Sequence, residues 1–282
     1  TDSAVELCKK LGKQGVAGFV NAFLRRFSRE ETDAAIPAGD EGLCIRLSYP
    51  PYAWKMLKAE YGPRAKKIAE ARSGGVCVRF ERNEEKYLSK KHINAPFPHM
   101  FLFENFARDE SFFEGDYTFQ SVGSAAICDV VEPCGDLLDA CAAPGGKSVL
   151  LSKKCGRITS FELHAHRVEL IRQYRERMDV KNVFEEQKDS SAFHPEYAGK
   201  FDAVLCDVPC SGFGTVSENP DIKLFRKEED FRSLKETQAK ILSACSKYVK
   251  EGGTVYYSTC SLFERENDGI VGEFLAENPD FL

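Results

Sequence analysis

The stretch LLDACAAPGGKS at residues 137–148 reads as an apolar strand, a turn with two glycines and the start of a helix. Glycines allow backbone amides to approach a ligand closely, and the N-terminus of the following helix favours an anionic group. Neither common phosphate motif fits, because a P-loop needs glycine where Cys141 stands and the fingerprint GxGxxG is absent. The stretch therefore predicts a ligand-binding turn at the carboxyl end of a strand.

A regular alternation of short apolar runs and amphipathic stretches begins at Gln120. Such alternation is typical of an α/β fold with a doubly wound, mostly parallel, Rossmann-like sheet. Strands are predicted at residues 136–141, 157–162, 182–187, 201–206 and 253–258, and helices at 121–131, 148–154, 165–178, 231–249 and 264–278.

The sequence ahead of Gln120 is less regular. Residues 4–29 place apolar side chains at helical spacing, whereas the polar stretch 30–42, with Pro37 and two glycines, predicts a linker. A small α+β region is expected to follow, with helices at 52–60, 64–72 and 84–91, a strand at 74–82 and irregular or β structure at 94–119.

Composition excludes several classes of protein. With 43% apolar and 29% charged residues the chain is typical of soluble globular proteins. No apolar run approaches the ~18 residues that cross a bilayer, and the first residues are not a signal peptide. The first residue, Thr1, indicates a chain that begins inside a longer protein. Eleven cysteines without a CxxC pair predict neither a disulfide framework nor a metal site, and they favour a cytoplasmic setting.

Charge is distributed unevenly along the chain. The net charge is −5, but residues 54–92 hold 11 Lys and Arg against 5 Asp and Glu. Such a basic stretch is compatible with a phosphate-contacting surface, although a solvated helix face has the same composition.

Acidic residues follow the next two predicted strands. Glu162 ends the second strand and suits the hydroxyls of a ribose, and Asp189 follows the third and suits an exocyclic adenine amine. Apart from Lys147, the turn and its surroundings lack phosphate-binding side chains. S-adenosylmethionine fits this set, since its carboxylate is the anion and its adenosine supplies ribose and adenine.

Two cysteines stand in turns just past the last two predicted strands, Cys210 in DVPCSG (residues 207–212) and Cys260 in YSTCS (257–261). A thiolate that adds to carbon 6 of cytosine makes carbon 5 nucleophilic, which is covalent catalysis. Asp207 is placed to meet ring N3, and the second thiol can serve as acid or base. The residues alone leave open which cysteine attacks.

These segments resemble motifs I, IV and VI of the RNA cytosine-5 methyltransferases, and among them the bacterial RsmB/Sun (Fmu) enzymes of 16S ribosomal RNA. NPDIK at 219–223 and EREN at 264–267 match further family segments, and GFVNAFLRR at 18–26 resembles the end of a NusB-like helical domain. One departure is Gln120-Ser121, where the family has Gln-Asp.

The resemblance implies a cytosine-5 methyltransferase with Cys260 as nucleophile, Cys210 assisting product release and Asp207 at cytosine N3. Its partner would be small-subunit ribosomal RNA, and the enzyme would act as a monomer. The implied S-adenosylmethionine site consists of Cys141, Ala142, Ala143, Pro144, Gly145, Gly146, Lys147, Glu162, Asp189 and Asp207.

The resemblance also implies a domain order. Residues 1–36 would be the remnant of a NusB-like RNA-binding domain, 37–116 a small α+β RNA-binding or linker domain, and 117–282 a catalytic domain whose C-terminal strands are truncated. Two other functions stay open. A non-catalytic RNA- or ribosome-binding protein would need neither thiol, and a P-loop hydrolase is disfavoured by Cys141.

Overall fold

The computed structural model describes residues 2–29, 36–72 and 74–282. The chain forms two compact units, Thr1–Tyr49 and Pro50–Leu282. The domain boundaries after residues 36 and 116 stay predictions. The helices of the first unit are α1 (Asp2–Lys10), α2 (Gln14–Arg29) and α3 (Gly39–Leu47).

The predicted linker over residues 30–42 is wrong at its end, because α3 begins at Gly39. Residues 30–35 lie outside the described part of the chain. Asp40 and Glu41 stand in the first turn of α3, where carboxylates favour a helix. Gly42 is required by packing, since a Cβ there would lie 1.7 Å from the carbonyl oxygen of Pro37. The sequence analysis had interpreted this glycine as part of a linker.

The second unit begins with two helices and a four-stranded antiparallel sheet in the order β2-β3-β1-β4. This sheet carries an aromatic core in which Phe80, Phe103 and Tyr117 are fully buried. The elements are α4 (Pro51–Tyr61), α5 (Ala65–Glu70), β1 (Val76–Phe80), β2 (His92–Asn94), β3 (Met100–Phe103), α6 (Glu110–Phe113) and β4 (Tyr117–Phe119).

The predicted helix over residues 84–91 is wrong, since only the short 3-10 turn Glu84–Lys86 forms. Tyr87 explains why. Its ring packs 5.3 Å from that of Phe80, and its hydroxyl donates a hydrogen bond of 2.8 Å to Asp109. Burial of this ring in the aromatic core is incompatible with continuing the helix beyond Lys86.

A five-stranded parallel sheet in the order β7-β6-β5-β8-β9 confirms the predicted α/β class. The order reverses between β5 and β8, and ligands of open α/β sheets bind at such a switch point. The elements are α7 (Val122–Val130), β5 (Cys134–Asp139), α8 (Gly146–Leu151), β6 (Cys155–Glu162), α9 (Ala165–Arg177), β7 (Val183–Gln187), β8 (Phe201–Asp207), α10 (Ile222–Phe225), α11 (Asp230–Cys245), β9 (Val249–Ser258) and α12 (Asp268–Glu277).

Alternation along the strands gives this sheet two buried faces. Leu137 packs with residues of α7, α8 and α9, whereas its neighbour Leu138 packs with residues of α11. Helices on both faces hold the strands rigidly, so their carboxyl ends form a fixed edge. Within the described ranges, no helix has both the length and the apolar character needed to cross a membrane.

Candidate active site

The turn after β5 packs closely against helix α9. Gly145 has φ +105°, a conformation that favours glycine, and a Cβ there would lie 3.3 Å from the Cα of Ile171. The peptide bond between Ala143 and Pro144 is cis. Gly145 is the N-cap residue of α8, so the first amides of that helix, which have no partner within the helix, follow the turn directly. The sequence-predicted ligand turn lies at the switch point of the sheet.

Asp139, which the sequence analysis did not select, is a buried carboxylate at the end of β5. Its Oδ2 accepts a hydrogen bond of 2.6 Å from Ser148, which in turn accepts one of 3.0 Å from Ser160. Its Oδ1 has no partner among the described residues. Burial raises the pKa of Asp139 to about 6. The sequence could have indicated Asp139, because it is an acidic residue at the end of an apolar strand and directly before the glycine turn.

Lys147 and Asp207 form an ion pair across the switch point. Lys147 follows β5 and Asp207 ends β8, so the pair joins two of the predicted site segments. Burial opposes the charge of Lys147, but Asp207 outweighs it and raises the lysine pKa. The second oxygen of Asp207 accepts a hydrogen bond of 2.8 Å from Ser258 at the end of β9. Asp207 thereby connects three strand ends.

Glu162 is buried at the end of β6. It accepts a hydrogen bond of 2.9 Å from the backbone N–H of His164 and pairs with Arg167 at 3.2 Å. Arg167 also donates to the carbonyl oxygen of Ala143 at 3.3 Å, which ties this carboxylate to the glycine turn. The cost of burying the Glu162 carboxylate, the predicted ribose acceptor, is therefore offset by Arg167, which the sequence analysis missed.

Asp189 is exposed after β7, and its carboxylate is held by Ser191. The hydroxyl of Ser191 lies 2.6 Å from Asp189 Oδ1 and lowers the aspartate pKa. The adjacent Ser190 donates a hydrogen bond of 2.5 Å to the carbonyl oxygen of Ala140. This hydrogen bond joins the loop that carries Asp189 to the turn after β5.

The two predicted catalytic thiols lie together, with 3.2 Å between the Sγ atoms of Cys210 and Cys260. Both cysteines are free. The hydrogen bond between them raises the pKa of Cys210 and lowers that of Cys260. Cys260 is exposed and Cys210 half-buried. Within this pair, Cys260 is therefore the thiol favoured as thiolate.

The thiols belong to the same cluster as the ion pair. The charges of Asp207 and Lys147 both act on the pKa of Cys260. Cys141, in the glycine turn, has a pKa raised mainly by burial and further by Cys245, Asp139, Asp207 and Glu162. The structure thus groups the glycine turn, Glu162, Asp207 and both thiols, with Asp189 at the margin.

Arg226, a third residue that the sequence analysis missed, holds the Cys210 loop. Its guanidinium donates hydrogen bonds of 3.3 Å to the carbonyl oxygen of Ser211 and 3.4 Å to that of Cys210. The carbonyl oxygen of Arg226 accepts a bond of 2.6 Å from the Tyr52 hydroxyl. Tyr52 and Arg226 are more than 150 residues apart in the sequence, so no local sequence pattern indicates their contact.

Helix α4 supports the second loop as well. The hydroxyl of Tyr61 donates a hydrogen bond of 2.6 Å to the carbonyl oxygen of Leu262, two residues after Cys260. The carboxylate of Glu60 accepts one of 3.1 Å from the backbone N–H of Glu264. One helix therefore contacts the segments that follow β8 and β9.

Ser121 explains the departure from the family's Gln-Asp pair. Its side chain caps α7 by accepting a hydrogen bond of 3.1 Å from the backbone N–H of Ser124. Serine and aspartate are both favoured at this capping position. Gln120 keeps a structural contact, since its amide donates to the carbonyl oxygen of Gly146 at 3.3 Å.

Comparisons with known proteins agree with the resemblance. The sequence model of the family described as 16S rRNA methyltransferase RsmB/F matches residues 131–281. A relative named probable ribosomal RNA small subunit methyltransferase B, from Bacillus subtilis (strain 168), is 32% identical over 312 residues, which cover 99% of this chain and 67% of the relative. The ribosomal RNA small subunit methyltransferase B of Xanthomonas campestris pv. campestris is 32% identical over 99% of this chain and 67% of its own length.

Solved structures support the fold. One described as a methyltransferase homolog protein from Pyrococcus horikoshii superposes with a TM-score of 0.71 at 25% identity, over 84% of this chain and 81% of that one. The family match includes β5 to β9 and both thiols. The chain therefore belongs to the 16S rRNA methyltransferase RsmB/F family.

Proposed function

We propose that this chain methylates carbon 5 of a cytosine in small-subunit ribosomal RNA, with S-adenosylmethionine as methyl donor. The observation that carries the proposal is the contact of 3.2 Å between the Cys210 and Cys260 thiols, at a strand edge that also holds the Lys147–Asp207 pair. The names of the family and of its relatives support ribosomal RNA as the substrate. The chain would act in the cytoplasm as a monomer.

The residues at the switch point fit S-adenosylmethionine. Asp139 presents a buried oxygen without a partner among the described residues, and such an atom calls for a donor from a ligand. The turn from Cys141 to Lys147 offers backbone amides, Glu162 suits the ribose hydroxyls, and Asp189 suits the adenine amine. Asp207 would complete the site. When bound, the cofactor supplies an electrophilic methyl group.

Cys260 would act as the nucleophile. Its thiolate adds to carbon 6 of the cytosine, an S–C bond forms, and the electron pair of the C5=C6 bond moves to carbon 5. Carbon 5 then becomes reactive toward a methyl group. The lowered pKa of Cys260 and its exposure suit it to this role, because the thiolate is the reactive form.

Cys210 would assist the release of the product. Removal of the carbon 5 proton restores the C5=C6 bond and expels the Cys260 thiolate, and Cys210 stands beside that sulfur. Asp207 would contact ring N3, where its ion pair with Lys147 and its hydrogen bond from Ser258 fix its position. The nucleophile and the thiol that assists release would then lie on adjacent strand ends.

RNA would reach the cleft along the basic stretch at residues 54–92. In that stretch Lys66 is exposed and lies 3.8 Å from Glu70. An exposed pair at this distance is weak, so the lysine can exchange its partner for a phosphate. The contact to RNA stays a proposal.

The test is methyl transfer in vitro. The chain is incubated with ribosomal RNA and isotopically labelled S-adenosylmethionine, and the RNA is digested and analysed by mass spectrometry. We expect labelled 5-methylcytosine with the native chain. A matched sample of Cys260→Ala should give none. Label on another nucleoside, or label that persists in Cys260→Ala, would contradict the proposal.

Two other candidate functions give distinct results. A non-catalytic RNA-binding protein would retain RNA and transfer no methyl group. A P-loop hydrolase would bind ATP with Mg²⁺ as tightly as S-adenosylmethionine, which calorimetry distinguishes.

A further inference from the structure

Glu266 is a fully buried carboxylate outside the residues assigned to the reaction. It ends the short 3-10 turn Glu264–Glu266 ahead of α12, within the EREN segment. Buried carboxylates are rare unless their oxygens are hydrogen-bonded or paired with a cation. Its partners are therefore informative about why it is there.

Those partners belong to the two thiol loops. Glu266 accepts hydrogen bonds from Ser211, the residue after Cys210, at 2.8 Å from the backbone N–H and 2.5 Å from the hydroxyl. It accepts another of 2.5 Å from the hydroxyl of Ser261, the residue after Cys260. One carboxylate thus holds the residue that follows each thiol.

Gln238 of α11 extends this network to the other side of Cys210. Its amide nitrogen donates to Glu266 at 3.1 Å and to the carbonyl oxygen of Pro209 at 3.0 Å. The Ser211 and Ser261 hydroxyls lie 3.2 Å from each other. The loops after β8 and β9 are therefore joined through Glu266, with Cys210 bracketed by Pro209 and Ser211.

We propose that Glu266 is a positioning residue that sets the distance between the Cys210 and Cys260 thiols by holding their two loops together. All four of its donors are neutral, so the carboxylate is needed as an acceptor for them. Glutamine could keep these contacts, because its NH₂ group can donate to the two serine hydroxyls. Alanine in its place would leave all four donors without their acceptor. The loops would then separate without the loss of any group that touches substrate.

This inference rests on the proposed function for its importance, but its geometry can be tested without RNA or cofactor. Phenylarsine oxide binds two thiols at once and so reports their proximity. A second close pair exists, since the Sγ atoms of Cys134 and Cys155 are 3.4 Å apart. All variants therefore carry Cys134→Ser. In that background, Cys210→Ala measures the arsenical binding that does not come from the Cys210–Cys260 pair.

The variants are Glu266→Ala and the matched control Glu185→Ala. Glu185 on β7 is also a shielded carboxylate, with its side chain 6% exposed and Arg172 and Arg175 each 2.8 Å away. We expect Glu266→Ala to weaken binding of phenylarsine oxide at least tenfold. It should also lower the kcat of methyl transfer at least tenfold, with KM for S-adenosylmethionine changed less than twofold. Glu185→Ala should change none of these.

Unchanged arsenical binding in Glu266→Ala would overturn the proposal. If arsenical binding falls while the native chain methylates no RNA, the positioning role stands and the proposed function fails. Should Glu266→Ala not fold, as judged by circular dichroism, Ser261→Ala removes a single donor from the network. It is then expected to weaken arsenical binding about threefold, and no weakening would overturn the proposal.

Discussion

The Cys210 loop after β8 and the Cys260 loop after β9 begin from equivalent positions. The strands pair in parallel, with Asp207 opposite Ser258, and each thiol follows within three residues of its strand end. Their environments then differ. Cys210 is half-buried, and its carbonyl oxygen is held by Arg226. Cys260 is exposed, and its carbonyl oxygen accepts a hydrogen bond of 2.9 Å from the backbone N–H of Gly214.

The difference shows how two identical side chains acquire different chemistry. Each sulfur is the main influence on the pKa of the other, which is raised for Cys210 and lowered for Cys260. Desolvation also disfavours a thiolate, so the exposed partner is the better site for the negative charge. The mutual hydrogen bond and the difference in exposure thus distinguish the two thiols, and both favour the proposed role of Cys260.

The largest expected effect is in the fate of a covalent RNA adduct. Cys260→Ala should abolish methylation and form no adduct, because no thiolate attacks carbon 6. Cys210→Ala should attack RNA and transfer methyl, and then remain attached because the release step is slowed. A denaturing gel with labelled RNA measures the adduct. The reverse pattern would show that Cys210 is the nucleophile.

A smaller effect is expected at the cofactor side of the cleft. Glu162→Ala should weaken S-adenosylmethionine binding by about 1–3 kcal/mol, because ribose hydroxyls lose their acceptor. Calorimetry measures this affinity. The rate of Cys260 alkylation should stay unchanged, which would show that the thiol difference is set locally. An unchanged affinity would remove Glu162 from the predicted site.

The smallest effect concerns the pH at which the thiols react. Alkylation by iodoacetamide follows the thiolate, so its rate rises as pH increases through the pKa of each thiol. Because the pKa of Cys260 is lowered and that of Cys210 raised, Cys260 should be labelled first as pH increases. Cys210→Ala removes the main cause, so the pKa of Cys260 should rise and its labelling near neutral pH should slow a few-fold.

Peptide mapping by mass spectrometry assigns the label in that experiment. Cys44→Ala is a suitable control, since Cys44 is buried in the first unit. Labelling of Cys210 before Cys260 would contradict the comparison.

Sequence patterns predicted the parallel sheet well, because its two central strands, β5 and β8, are dominated by apolar residues and end in turns. The residues at strand ends were predictable for the same reason, since Glu162, Asp207 and the thiols follow such runs directly. The partners of these residues were not. Arg167 lies on a helix, and its pairing with Glu162 depends on how α9 packs against β6.

The errors have a physical pattern too. The linker prediction failed at Gly42 because the sequence does not distinguish a glycine needed for close packing from one needed for a turn. The predicted helix at residues 84–91 failed because burial of Tyr87 outweighed local helix propensity. The first error therefore comes from a local contact between Gly42 and Pro37, and the second from a tertiary contact of Tyr87.

Helix α4 lies outside the parallel sheet, yet it supports segments that follow two of its strands. Tyr52 donates to the carbonyl oxygen of Arg226 and Tyr61 to that of Leu262, so one short helix supports both thiol loops. Exchange of this helix for that of a relative would therefore alter the support of both loops at once. A substitution at Tyr52 is expected to have its effect more than 150 residues later in the chain.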